Sequence, residues 1–310
     1  MSFTAADVKT LREMTSVGMM DCKKALVECD GDMDKAVEWL REKGLAKAAK
    51  KAGRIAAEGM SYALTENGVG VVVEVNCETD FCAKSDLFVA FVKDIAKVIA
   101  EQNPADVEAL KACTYPGTDR TVTDVTNDRI LSIGENLQIR RFERYDESTV
   151  NVGYTHMGGV IGVLVGLEVS DNLKGNPAVI ELGKDIGMQA AAMRPLFMDK
   201  SDVDQATLDK EKEILLIQAT EEIKTAAKPK PQQIIEKMVM GRIGKYYEEN
   251  CLLQQAFVKE NKVSVEKHIA AVAKELGGSI KLVKYTRYEK GEGIEKKQDD
   301  FAAEVASMAK

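Results

Sequence analysis

Apolar positions along this chain change their period several times, and each change marks an element. From Thr4 to Gly44 they recur at helical spacing. Val8, Leu11 and Met14 follow a Thr4/Asp7 capping pattern, Ala25 and Leu26 lie within Asp21 to Cys29, and Ala36, Val37 and Leu40 lie within Asp32 to Lys43, which stops at Gly44. The pattern predicts a bundle of three short helices. Between the first two, in SVGMMD, Gly18 makes a turn and Met19 and Met20 fall where solvent is expected. Two readings stay open: the methionines cap a small core, or they offer a shape-adapting apolar contact to a partner. The basic run that follows, REKGLAKAAKKAGRIAAEG, reads as a solvated helical connector or as an RNA contact through residues 43–54.

The period then falls to two. Ser61 to Thr65 and Val69 to Val75 flank Glu66-Asn67-Gly68, and Asn-Gly between two such runs signals a hairpin. Phe88, Phe91, Val92, Ile95 and Ile99 restore helical spacing from Ser85 to Ala100. Between strand and helix lies Thr79-Asp80-Phe81, where a large aromatic occupies a connection that ordinarily stays polar and on the surface. Phe81 is either folded back as packing or directed outward, and Asp80 either serves the site or caps the following helix.

The pattern also repeats. FVKDIA (91–96) returns as LGKDIG (182–187), an offset of 91 residues from Lys93 to Lys184, which places Asn67-Gly68 on Gly158-Gly159 and Val72-Val73 on Val163-Leu164. LQIRRFERY (137–145) returns as IKLVKYTRY (280–288), but with an offset of 143 from Tyr145 to Tyr288, so the second copy carries 52 residues more. Two tandem α+β units are expected, the second holding an inserted module. Between about Val203 and Tyr247 the sequence fits two helices joined at AAKPKPQQ, with Ile234, Ile235, Met238, Val239, Ile243 and Tyr246 on one stripe. That stripe needs cover from its own first helix or from another subunit.

Composition narrows the function classes. With 310 residues and 45% hydrophobic content the chain has material for two or more cores. A net charge of −7 gives no bulk attraction to nucleic acid. The first residues, MSFTAADVKTLREM, lack a signal-peptide pattern and no apolar run reaches about 18 residues, so a cytosolic protein with reduced thiols is expected. The six cysteines are scattered, and Cys77 and Cys82 lack the usual ligand-knuckle spacing; a thiol or zinc enzyme would need them to converge with one of only two histidines. No metal or cofactor is expected, and with neither a Gly-rich phosphate loop nor a nucleophile motif, no enzyme.

Two long motifs, LREMTSVGMMDCKKAL (11–26) and EVNCETDFCAK (74–84), closely resemble the signatures of the bacterial elongation factor Ts family, and GEGIEKKQDDFAAEVASM is similar to that family's C-terminal module. The resemblance covers essentially the full length. One departure is Cys82, where the family commonly has valine. The resemblance implies an α+β protein: a small three-helix, UBA-like domain with its connector (1–54), core subdomain N (55–147), a discontinuous core subdomain C (148–198 and 248–288) with antiparallel sheets, a helical hairpin for dimerisation (199–247) and a C-terminal helical module (289–310). It implies a guanine nucleotide exchange factor for elongation factor Tu, the GTPase that delivers aminoacyl-tRNA. By resemblance Thr79, Asp80, Phe81 and Cys82 enter Tu and help dislodge Mg²⁺. Ile133, Gly134, His156, Met157 and Gly158 provide further contacts, and Arg12, Met19 and Met20 dock on a surface helix of Tu. The alternative is a ribosome- or RNA-associated protein using the basic connector.

Overall fold

The structure is a computed structural model that describes residues 3–15, 17–224 and 232–295. The chain forms two compact units, the first of Met1–Arg144, Thr155–Gly162 and Tyr288–Lys310, the second of Tyr145–Tyr154 and Val163–Arg287.

The first unit begins with α1 (Ala5–Thr15), α2 (Met19–Glu28) and α3 (Met33–Lys51). Thr4 and Asp7 form the expected reciprocal cap, Asp7 Oδ2 accepting from the Thr4 amide at 2.7 Å, and the Asp32 side chain caps α3. Such caps are each worth about 1 kcal/mol. Leu11, Leu26, Ala36 and Leu40 make the small core of the bundle. Two expectations need correction here. Met19 and Met20 are the first turn of α2, not a connecting loop. And α3 runs through Gly44 to Lys51, because Gly44 is a buried point of close approach rather than a left-handed stop: a Cβ there would stand 3.4 Å from the carbonyl oxygen of Asn127, on the helix Val122–Ile133.

Strands β1 (Glu58–Glu66) and β2 (Val69–Cys77) pair antiparallel from Glu58↔Cys77 to Glu66↔Val69 around Asn67 (φ 50°) and Gly68 (φ 82°), the two-residue turn whose positive φ values match strand twist. A one-turn helix α4 (Asp80–Ala83), then α5 (Asp86–Gln102), α6 (Val107–Ala112) and α7 (Val122–Ile133) follow, and β3 (Gln138–Tyr145) completes a sheet of order β1-β2-β3. Phe88, Phe91, Val92, Ile95 and Ile99 all lie in the core, as their spacing predicts.

The second repeat has the same plan. Strands β4 (Val150–His156), β5 (Ile161–Val169) and β8 (Ile280–Glu289) form a sheet of order β4-β5-β8, with helix α8 (Pro177–Met193) after the hairpin and α11 (Val265–Glu275) before the returning strand. The inserted residues hold α9 (Gln205–Lys224) and α10 (Gln232–Asn250), followed by the short pair β6 (Ala256–Phe257) and β7 (Glu260–Ser264). The stripe on α10 is covered by α9: Val239 and Ile243 are buried with Ala219, and Ile235, Met238, Leu215 and Tyr247 pack around them. Tyr247, not the expected Tyr246, packs on that cluster, and the side chain of Ile234 lies outside the described residues. The ends of the insertion meet, since the Leu196 and Phe197 amides donate to Asn250 O and the Leu252 amide to Phe197 O. The expected C-terminal helix lies outside the described residues beyond Glu295.

One buried charge locks the first unit. Glu74, fully buried on β2, accepts from Arg140 Nη1 at 3.0 Å, Arg141 Nε at 2.6 Å, Asn76 Nδ2 at 3.1 Å and the Gly291 amide at 2.8 Å. Removing one partner of a buried ion pair costs about 3–5 kcal/mol, so β2, β3 and the segment at Gly291 are held as a group.

Candidate functional site

The segment after β2 is not an irregular loop. Thr79 has extended backbone (φ −124°, ψ 155°) and its Oγ1 accepts from the Cys82 amide at 3.1 Å, which makes it the N-cap of α4. The same hydroxyl donates to Glu135 Oε1 at 2.6 Å, and the Glu78 and Thr79 amides both donate to Glu135 Oε2 at 2.9 Å. Glu135 stands just after Gly134, whose left-handed φ of 86° ends α7. The adjoining residues complete the clasp: the Asn136 amide donates to Glu78 Oε1 at 2.7 Å, Asn136 Nδ2 donates to Arg54 O at 2.8 Å, and the Lys51 ammonium donates to Gly134 O. The ends of β2, α3 and α7 are thereby tied at one place.

On this frame the side chains of α4 divide. Cys82 is 5% exposed and belongs to the core, whereas Phe81 is 84% exposed. The two readings of Phe81 are thus separated: it points outward. A phenyl ring carries roughly 150–250 Å² of contact surface, and burying it against a partner is worth about 1.5–3 kcal/mol. Asp80 accepts from Lys84 Nζ at 2.6 Å, and that hydrogen bond, with a contribution from Lys290, holds its carboxyl below the usual range. It does not cap α5; the Ser85 hydroxyl does.

The turn at His156, Met157, Gly158 and Gly159 belongs to the same unit. Gly159 O accepts from the Ser61 amide at 2.8 Å, Val160 O from the Lys290 amide at 2.9 Å, and Thr155 Oγ1 from the Ala63 amide at 3.1 Å. Gly159 is pressed so closely on Met60 that a Cβ would come within 2.4 Å of Met60 Cγ. With its base fixed, the turn presents Met157, 72% exposed with φ 49°. Lys290 links the two places, pairing with Glu58 on β1 and acting on Asp80. Ile133 packs partly against the core, leaving Gly134 exposed. Arg12, Met19 and Met20 are exposed on α1 and α2 of the helical bundle, as is Met14.

Sequence reasoning missed Glu78, Glu135 and Asn136, which position the turn. The signal was present in Glu135-Asn136 directly after the helix-ending Gly134, but its partner lies 56–58 residues away. The cations of the connector are largely engaged: Lys47 with Asp21 at 3.0 Å, Arg54 with Glu78 at 3.4 Å, Lys51 with Gly134 and Lys43 over the Trp39 ring. The structure also gathers Cys77, Cys82 and Glu135, whose donor atoms all lie within 4.8 Å of one another. The third group is a carboxylate, not the histidine that sequence reasoning required.

The family model for elongation factor Ts matches residues 78–292. The chain belongs to the elongation factor Ts family. It is 48% identical over 309 residues to an elongation factor Ts of Magnetococcus marinus, covering 99% of both chains. Similarity to those of Clostridium perfringens (50%, 98% of both) and Syntrophotalea carbinolica (47%, 100% of both) is comparable. Membership carries the role of nucleotide exchange on elongation factor Tu during translation elongation, and the RNA-associated alternative is not favoured. Among the described residues no helix is long and apolar enough to cross a membrane.

Proposed function

We propose that α4 is the wedge by which this exchange factor opens the nucleotide site of Tu. The observation that supports it is the pairing of a fully presented aromatic, Phe81, with a backbone clamped by Glu135 at Thr79. A P-loop holds its nucleotide through backbone amides, a lysine and Mg²⁺, so small displacements weaken it. A ring on a rigid support transmits such a displacement; a ring on a slack loop would yield instead. Asp80 and Cys82 hold the turn in shape, Cys82 from the core side, while His156, Met157 and Gly158, with Ile133 and Gly134, press on the same partner. Coupling is reciprocal: if factor and GDP weaken each other's binding through one deformation, rebinding nucleotide expels the factor. No covalent chemistry is involved, and the protein works as a non-enzymatic factor in the cytoplasm.

Arg12, Met19 and Met20 dock the factor without driving exchange. Contacts made equally in the relaxed and deformed states set how much factor is needed, not the limiting rate. The α9–α10 hairpin serves self-association, for Ile217 and Met240 remain exposed on it after α9 covers the main stripe.

Release of labelled GDP from Tu, followed while factor is titrated in, tests both parts. Phe81→Ala is expected to lower the saturating rate by about tenfold or more, equivalent to roughly 1.4 kcal/mol, with an unchanged melting temperature. Met19→Ala with Met20→Ala is expected to raise the half-saturation concentration and spare the saturating rate. A cooperative loss of stability in Phe81→Ala would make the ring packing; a lowered saturating rate in the methionine double variant would make the bundle part of the wedge.

A further inference from the structure

The exchange mechanism uses Cys82 and Glu135 only as supports of the turn and makes no use of the donor atoms they gather with Cys77. Cys77 closes β2 and is fully buried, Cys82 lies on α4 and is 5% exposed, and Glu135 is half-buried. We propose that Cys77, Cys82 and Glu135 form a binding site for a borderline-soft divalent cation of the Zn²⁺ class, with two thiolates, one carboxylate and an open fourth position.

Geometry carries this. Three donors no more than 4.8 Å apart can all be reached by one central ion at about 2.8 Å or less, within roughly half an ångström of a Zn–S bond of about 2.3 Å. Two thiol ligands select a borderline-soft ion over Mg²⁺ or Ca²⁺. The carboxylate is already oriented by the Glu78 and Thr79 amides and the Thr79 hydroxyl, the outer support that metal ligands require. Binding forms two metal–sulfur bonds and releases two thiol protons to solvent, with no oxidant or reductant. The ion would staple the end of β2 to the helix that carries Phe81.

The test uses the full chain, metal-free and reduced, with Co²⁺ as the optical probe and no Tu present, so it stands apart from the exchange reading. One equivalent is expected to give a thiolate-to-cobalt charge-transfer band and the visible bands of a tetrahedral ion, both displaced by Zn²⁺. Cys113→Ser should retain them. Cys82→Val should lose them while its metal-free melting temperature stays that of the unaltered chain; should that variant not fold, Cys77→Ser provides the same comparison. Because two protons leave, Zn²⁺ affinity should rise by up to about 100-fold per pH unit while both thiols are protonated in the free protein. Absence of the charge-transfer band in the unaltered chain, its survival in Cys82→Val, or an equal response to Mg²⁺ by competition would overturn the proposal.

Discussion

The two repeats contain the same turn built to different ends. In the first, Thr79 leads into Asp80–Ala83; in the second, at the same 91-residue offset, Ser170 leads into a single 3₁₀ turn, Asp171–Leu173. Each has an aspartate in its first position paired to a nearby lysine, Asp80 to Lys84 at 2.6 Å and Asp171 to Lys174 at 2.7 Å. Each sinks its third residue into the core, Cys82 in one and Leu173 in the other. They part at the residue between. Phe81 projects into solvent, whereas Asn172 donates from Nδ2 to Gly277 O at 3.2 Å and is held against its own unit. The anchors differ as well. Where the first turn is clasped by the Glu135 side chain, the equivalent position in the second is Gly278, so close that a Cβ would come within 2.5 Å of Ser170 Oγ; there the Ser170 amide donates to Ser279 O and the Ser279 amide to Ser170 Oγ, each at 3.0 Å. Only the first turn is capped by its leading side chain, Thr79; what the two share is an apolar third residue in the core. The fold does not need an aromatic, so Phe81 is surplus to structure.

The comparison can be broken most directly at the buried position. Leu173→Ala should cost about 2–5 kcal/mol in denaturant unfolding, while Cys82→Ala, removing a smaller group, should cost about 1 kcal/mol. Equal losses would mean that the two turns are not loaded alike. A smaller effect is expected at the anchor. Glu135→Ala strips acceptors from three donors at Glu78 and Thr79 and should cost roughly 1–2 kcal/mol, speed hydrogen exchange at the Thr79 amide and slow GDP release although Phe81 is intact. Full exchange activity in that variant would show that the wedge needs no rigid support. The smallest effect belongs to the inverse swap: Asn172→Phe should change stability by no more than about 0.5 kcal/mol and leave exchange untouched, and accelerated GDP release would reveal that the second turn also meets Tu.

Short-range signals made much of this fold legible. Thr4/Asp7, Asn67-Gly68 and the α5 stripe each depend on neighbours within a few residues, and each formed as its pattern required. The repeat was readable because its two offsets preserve the order of hairpin, helix and returning strand. Gly44 misled because a glycine can end a helix or admit a neighbouring backbone, and only the position of Asn127 decides which. The one-turn helix α4 was hidden for a related reason: Thr79 is fixed by Glu135, 56 residues on, and no local periodicity records such a bond. Phe81 was recognisable as anomalous, but the residues alone left its direction open; the family resemblance implied an outward ring, and the burial of Cys82 beside an exposed Phe81 agrees with that.

Glu74 also sets an order of assembly. The carboxylate and its two arginines leave the ribosome early, N-terminal segments first. The Gly291 amide that completes its coordination comes 217 residues after it. Until Gly291 has been made, the centre of the first sheet therefore waits for one donor, and a chain broken off before it keeps a buried carboxylate that lacks one of its hydrogen bonds.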